Sequence, residues 1–347
     1  MKKELTKYKF SWGPWCIDTG RDSFGPPTRK EFSFAEKLKI CKELGLDGVQ
    51  LHDDDVIEDI NEKTYTQIVK EAKQMKKLIS EEGFEVEFIA PKLWGDKNTI
   101  DGAATSNNSG CIKYALERSE KAIDIANIMG TNKLLYFFGR DGTYVQGSKD
   151  PKLAIGKIVD FINALLEYDR DILILGETKP NEPMDQIFCP TAGHFIGVSY
   201  KTIDPKRVGV YIESAHCTMC GLEPADEMGY ALWHNKLWGV HLDDQNGLKF
   251  NEHRTFGVIN LLRGFRQVEV LEKNGYGKSG EYVGLETRAI RTQSNEKSFE
   301  HLKNSREMFL TLLEIIRGLD YKVIGDYIEG RNYEELEMFV LRKIMGF

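Results

Sequence analysis

The stretch Glu177-Thr178-Lys179-Pro180-Asn181-Glu182-Pro183 sets a carboxylate, an ammonium and a second carboxylate close together. It follows Gly176 and the apolar run Ile172-Leu173-Ile174-Leu175, which reads as a buried strand. The two prolines stiffen the exit and remove backbone donors. Charges are expensive to bury unless they are paired or bound to metal, so this strand end reads as a site. Other acids follow other β-rich runs: His52-Asp53-Asp54-Asp55, Glu213 with His216, Asp243-Asp244, and Glu286. If those runs end at one mouth, Glu177, Glu213, Asp243 and Glu286 converge. Such a set cannot stay fully ionised without cations between its members. Oxygen-rich ligation suits Mg²⁺ or Mn²⁺, and an added imidazole shifts the preference towards Mn²⁺ or Co²⁺.

The elements that must position these residues are legible as an alternation of short β-rich runs and amphipathic stretches. Strands are expected near Lys9–Trp15, Gly48–His52, Glu85–Ala90, Lys133–Phe138, Ile172–Glu177, Val208–Glu213, Leu237–Asp243 and Glu281–Glu286. The clearest helices are Tyr65–Glu82 and Ile112–Met129, with apolar residues three and four apart. Gly45, Gly83 and Gly130 are placed to stop helices. Repeated βα units of this size imply a closed parallel (β/α)8 TIM barrel over residues 1–320. An open doubly wound sheet is the alternative, but no GxGxxG follows the first strand. Residues 321–347 form a C-terminal tail, whose Leu336, Phe339, Val340 and Ile344 imply one further amphipathic helix. That helix either closes the barrel floor or grips another subunit.

At 347 residues the chain suits one large α/β barrel. The net charge of −7 argues against a nucleic-acid partner, which leaves a basic footprint. No apolar run approaches membrane-spanning length, so no membrane partner is expected. The cysteines (16, 41, 111, 189, 217 and 220) are scattered, which points to a reduced, cytoplasmic setting. Cys217-Thr-Met-Cys220 lacks the second pair that structural zinc needs. Blander roles compete for several polar residues. Asp53 and Asp54 read as helix caps or solvated loop residues, His194 and His301 as structural, and His234 as surface. His241 alternates with Asp243 and so points inward, equally as a core imidazole or as a functional one.

At this point the residues carry a resemblance. Phe10-Ser-Trp-Gly-Pro-Trp15, Arg21-Asp-Ser-Phe24-Gly and Gly48-Val-Gln-Leu-His52-Asp-Asp-Asp55 are similar to elements of xylose isomerase of the shorter bacterial type. So are Glu177-Thr-Lys179-Pro-Asn-Glu182-Pro with Pro190-Thr-Ala-Gly-His194, and the loop from Lys249-Phe250 to Phe256-Gly257. The resemblance spans about Phe10 to Arg291. It implies a cytoplasmic homo-oligomer, dimer or tetramer, that binds one or two divalent cations and acts on a small sugar. His52, held by Asp55, would help to open the cyclic sugar. A first cation would sit among Glu177, Glu213, Asp243 and Glu286. A second would use Glu213, His216 and the loop after Asp243. Lys179 would donate to a terminal oxygen. Trp15, Trp94 and Phe137 would wall the sugar, and Phe24 would reach into a neighbouring subunit's site.

The chain departs from the family pattern in that loop. Asn251 and His253 stand where the family has aspartates, so His253 replaces an anionic ligand with an imidazole. Phe137 takes the place of a tryptophan, Trp94 that of a phenylalanine, and Glu286 that of a shorter aspartate. The leading expectation is a metal-dependent aldose–ketose isomerase working by hydride shift. The alternative is a one-metal epimerase or lyase that abstracts a proton from a keto sugar. A non-catalytic sugar-binding barrel and a barrel endonuclease are the remaining classes.

Overall fold

The computed structural model describes residues 5–347. Eight strands alternate with eight helices: β1 Lys9–Trp12, α1 Phe34–Glu43, β2 Gly48–His52, α2 Tyr65–Glu81, β3 Glu85–Ala90, α3 Ser109–Met129, β4 Lys133–Phe137, α4 Pro151–Tyr168, β5 Leu173–Glu177, α5 Ala192–Ser199, β6 Val208–Glu213, α6 Pro224–Trp233, β7 Leu237–Leu242, α7 Leu261–Asn274, β8 Tyr282–Leu285 and α8 Glu300–Arg317. The strands pair in parallel in the closed order β1-β8-β7-β6-β5-β4-β3-β2. This is a (β/α)8 TIM barrel, as the alternation implied. No described helix is long and apolar enough to cross a membrane.

Two packed regions follow from strand alternation. Outward residues such as Ile174, Val210, Ile212 and Val240 join the helices in the main core. Inward residues Phe88, Leu135, Leu175 and Tyr211 form a smaller cluster inside the barrel. Serine and threonine caps fix helix entry: Ser33 and Thr64 each make a reciprocal capping box with the residue three positions on. Gly130 closes α3 at a φ of 92°, where other residues are strained.

The structure corrects several local expectations. The first strand ends at Trp12 rather than Trp15, and Pro14–Cys16 turns as a 3-10 helix. Proline offers no ladder donor there, and the Trp15 ring folds over Gly13 where a Cβ would collide at 2.2 Å. The seventh strand stops at Leu242, one residue short. The tail is two helices instead of one, α9 Tyr321–Glu329 and α10 Tyr333–Ile344. They are divided at Gly330-Arg331-Asn332, where Arg331 takes a φ of 52°. Asp53 is neither a solvated loop residue nor a simple cap. It is fully buried, and Arg118 on α3 donates to both its oxygens at 2.7 and 3.0 Å while also reaching Asp96 at 2.9 Å. Asp53 further accepts the backbone N–H of Lys92, tying the end of β2 to the loop after β3.

That buried ion pair anchors the segment next to His52. Arg118→Ala leaves the Asp53 carboxylate buried and uncompensated, and should lower stability by about 3–5 kcal/mol. Urea denaturation checks this, and a loss below about 1 kcal/mol would show the pair to be dispensable.

Candidate active site and cation centre

The strand ends open into a cavity of about 650 Å³. Its floor holds Glu177, Glu213, His241 and Glu286, and its walls include Trp15, His52, Trp94 and Phe137. Period-2 alternation explains the floor. Leu175 and Glu177 on β5, and Tyr211 and Glu213 on β6, point inward in succession, and His241 does so on β7. Glu286 follows β8 directly.

On the floor, two sets of side chains have ligand atoms within 4.8 Å of one another, Glu177, Glu213 and His241, and Glu213, His253 and Glu286, and a third set, His52, Asp54 and Asp55, lies at the end of β2. Glu213 belongs to both. Burial, then the charges of Glu177 and Glu286, hold the Glu213 carboxyl well above the usual carboxylate range. Burial and the Glu213 charge do the same to Asp243. These acids are therefore short of positive charge. Asp243 lies just beneath: its Oδ1 accepts the backbone N–H of Ala215 at 2.8 Å, and its Oδ2 is buried with no hydrogen-bond partner among the described residues. Crowded carboxylates, imidazoles and an orphaned oxygen fit a divalent cation of the Mg²⁺, Mn²⁺ or Co²⁺ type. Glu177, Glu213, Glu286 and either His241 or His253 are placed to hold it.

The second-cation position reads differently. Asn251 donates from Nδ2 to Glu213 Oε1 at 2.7 Å and lies 3.1 Å from His216 Nε2. His216 Nε2 and Glu213 Oε1 are also 3.1 Å from each other, so a neutral amide packs against both side chains expected to share a second ion. Burial, reinforced by the Lys179 charge, keeps His216 well below the usual imidazole range. His253 is also held neutral, by burial and by Arg288, and its Nδ1 faces the Glu286 carbonyl oxygen at 3.1 Å.

The remaining expected site residues divide between cavity and surface. His52 Nδ1 meets Asp55 Oδ2 at 3.0 Å, its ring stacks on Trp15 at 4.1 Å, and Trp94 packs edge-on at 5.1 Å. Burial would raise the Asp55 carboxyl, but hydrogen bonds and charge from His52 win and hold it below its usual range. Trp94 and Phe137 meet edge to face. Lys179 is paired to Glu182 at 2.7 Å beneath the Phe137 side of the cavity. Trp15 is more than an apolar wall, since its indole N–H donates to Glu286 at 2.6 and 2.8 Å. Phe24 lies outside the cavity, 94% exposed on a surface turn.

The sequence reading left His241 open and passed over Gln50. In the structure they form one chain of contacts inside the barrel. Gln50 Nε2 lies 2.9–3.1 Å from Glu87, Tyr211 and Ser11, which orients its Oε1 at His241 Nε2, 2.9 Å away. His241 Nδ1 then faces Glu177 Oε1 at 3.0 Å. Burial alone would lower the His241 pKa, but Glu177, with Glu286 and Glu213, pushes it up to about 9. Gly284 makes room for this network: a Cβ there would meet Gln50, Tyr211 and His241 at 2.6–2.8 Å. The signal for Gln50 was present, a polar residue two before His52 in an apolar strand. Arg140 and Arg288, which also line the cavity, gave none.

Against known proteins, the chain matches the family model described as "Xylose isomerase-like TIM barrel" over residues 38–306. The chain belongs to this family. It is similar to the crystal structure of a D-tagatose 3-epimerase-like protein, with 18% identity, a TM-score of 0.64, and coverage of 89% of this chain and 98% of the other. A 3-keto-D-glucoside 4-epimerase from E. coli in its apo form gives 16%, 0.62, 88% and 100% in the same order. A xylose isomerase domain protein from Alicyclobacillus acidocaldarius gives 13%, 0.62, 90% and 100%. These structures share the fold of this xylose isomerase-like chain.

Gln50 fixes Nε2 as the protonated nitrogen of His241, leaving Nδ1 to face the acids. Gln50→Leu should weaken Mn²⁺ binding about 10–100-fold, measured by titration calorimetry, with the circular dichroism spectrum unchanged. Affinity equal to that of the unaltered protein would remove Gln50 from the account.

Proposed function

We propose that this chain is a divalent-cation-dependent enzyme that moves a proton next to the carbonyl of a keto sugar, as an epimerase or lyase does. The observation that carries this reading is the Asn251 amide, which donates to Glu213 Oε1 and touches His216 Nε2, two atoms that are themselves 3.1 Å apart. A neutral donor stands where the family pattern has an anionic ligand, and Glu213 and His216 contact each other directly, so one cation is favoured over a hydride shift between two. Structural likeness to proteins named as a tagatose 3-epimerase-like protein and a keto-glucoside 4-epimerase supports the same reading.

When bound, a divalent cation supplies Lewis-acid polarisation of a carbonyl oxygen and fixed positive charge where negative charge develops. The protein's own groups do the rest. Asp55 holds the Nδ1–H of His52, which leaves Nε2 with its lone pair to act as base. His52 Nε2 takes the proton from the carbon beside the ketone. The C–H electron pair moves into a new C–C double bond, and the carbonyl π pair shifts to oxygen. Return of that pair re-forms the carbonyl as a proton is delivered to carbon. The Lys179 ammonium, held by Glu182, is placed to give that proton from another part of the mouth. Delivery to the opposite face epimerises the centre. Expulsion of a neighbouring oxygen substituent instead makes the reaction an elimination. Trp15, Trp94 and Phe137 form apolar walls that exclude water and orient the ring. Phe24, exposed on its turn, is assigned to a neighbouring subunit in a dimer or tetramer.

Aldose–ketose isomerisation is the second reading, favoured by the retained His52–Asp55 pair and by Lys179 at the cavity edge. Reaction in D₂O with Mn²⁺ and a panel of keto sugars separates the two. Proton transfer predicts solvent deuterium in the product, and His52→Asn should lower kcat about 10²–10⁴-fold with little change in KM. Product free of deuterium would overturn proton transfer and favour the isomerase.

A further inference from the structure

A second, smaller cavity of about 220 Å³ lies beside the sugar cavity, and Arg288 lines both. Its wall includes Arg254, Lys297 and, near the start of α8, His301 and Asn304. The start of α8 has no side-chain cap. Its N-terminal N–H groups are therefore not met by a capping side chain, and Glu300 is the acid of its first turn. The ion pairs of the region are Lys297–Glu300 at 3.1 Å and a loose Arg288–Glu286 contact at 3.8 Å. None among the described residues engages Arg254. Arg288 Nε is buried without a hydrogen-bond partner among them. His301 is only 6% exposed, and neither of its nitrogens makes a hydrogen bond of normal geometry. Burial outweighs the nearby Cys16 and Thr287 carbonyls and holds its pKa down to about 4, so it stays neutral at pH 7.

We propose that this side cavity binds a small oxyanion of the phosphate class, held by Arg254, Arg288, Lys297 and donors at the start of α8. Guanidinium forks match the oxygens of such an anion, and a helix N-terminus adds favourable dipole and N–H groups. The anion is drawn here and not to the sugar cavity, whose floor carries Glu177, Glu213 and Glu286. The only acid in the side wall, Glu300, is already met by Lys297. Nothing in this inference depends on the reaction proposed above. An occupied side cavity would fix the guanidinium that sits 3.8 Å from Glu286, next to the cation floor.

Titration calorimetry of inorganic phosphate into the metal-free full-length protein tests the site, with sulfate as a second probe. One saturable site is expected, weakened by added NaCl. Arg254→Ala should weaken it about tenfold, and Lys297→Gln, a more exposed change, should shift it in the same direction. Arg140→Ala, which alters the sugar cavity alone, should leave the affinity unchanged. Absence of saturable binding, or loss of binding in Arg140→Ala with none in Arg254→Ala, would overturn the proposal. A sugar phosphate titrated alongside identifies the source of the anion. Affinity equal to that of phosphate marks a free anion. Tighter binding that still depends on Arg254 marks an anionic group carried on the substrate.

Discussion

The structure depends on like charges forced together. Strand alternation delivers Glu177, Glu213 and Glu286 to one mouth, with Asp243 buried just below them. In that setting Coulomb repulsion is poorly screened and desolvation penalises every charged form. The response is visible in Glu213 and Asp243, whose carboxyls are pushed up towards the protonated state. Without a cation, protonation of His241 offsets part of the excess, and a bound divalent cation would displace that proton and offset the rest. Barrel closure creates this problem and also makes it useful, because the same convergence sets His52 and Lys179 around the floor.

The support beneath the floor is polar where a barrel interior is usually apolar. Ser11, Gln50, Glu87 and Tyr211 are buried and mutually hydrogen-bonded, and their last contact is to His241. A half-satisfied network of this kind would be destabilising, whereas a satisfied one holds each side chain in a single orientation. The small volume of Gly284 is part of that arrangement, since any side chain there would displace the Gln50 amide.

The barrel was legible because each βα unit carries its own local pattern, apolar alternation followed by three- and four-residue spacing. The acids were legible because they stand immediately after those strands. What the pattern could not show was pairing across long separations. Asp53 looked like a cap because its partner, Arg118, sits 65 residues away on another element. His241 could be placed inward by parity, but its link to Gln50 spans 191 residues. Trp15 read as a wall because nothing local marks its indole for Glu286. The split of the tail at Gly330 was written in the sequence, yet the apolar spacing of Leu336 to Ile344 drew attention only to its second half.

Cation stoichiometry tests the central claim most directly. The protein is stripped with a chelator, reloaded with Mn²⁺ and examined by elemental analysis, with the melting temperature followed in parallel. One tightly held cation per chain and a rise in melting temperature on loading are predicted, because binding to the folded state alone stabilises it. Two tightly held cations would contradict the role given to Asn251. No retained cation and an unchanged melting temperature would contradict the cation centre itself.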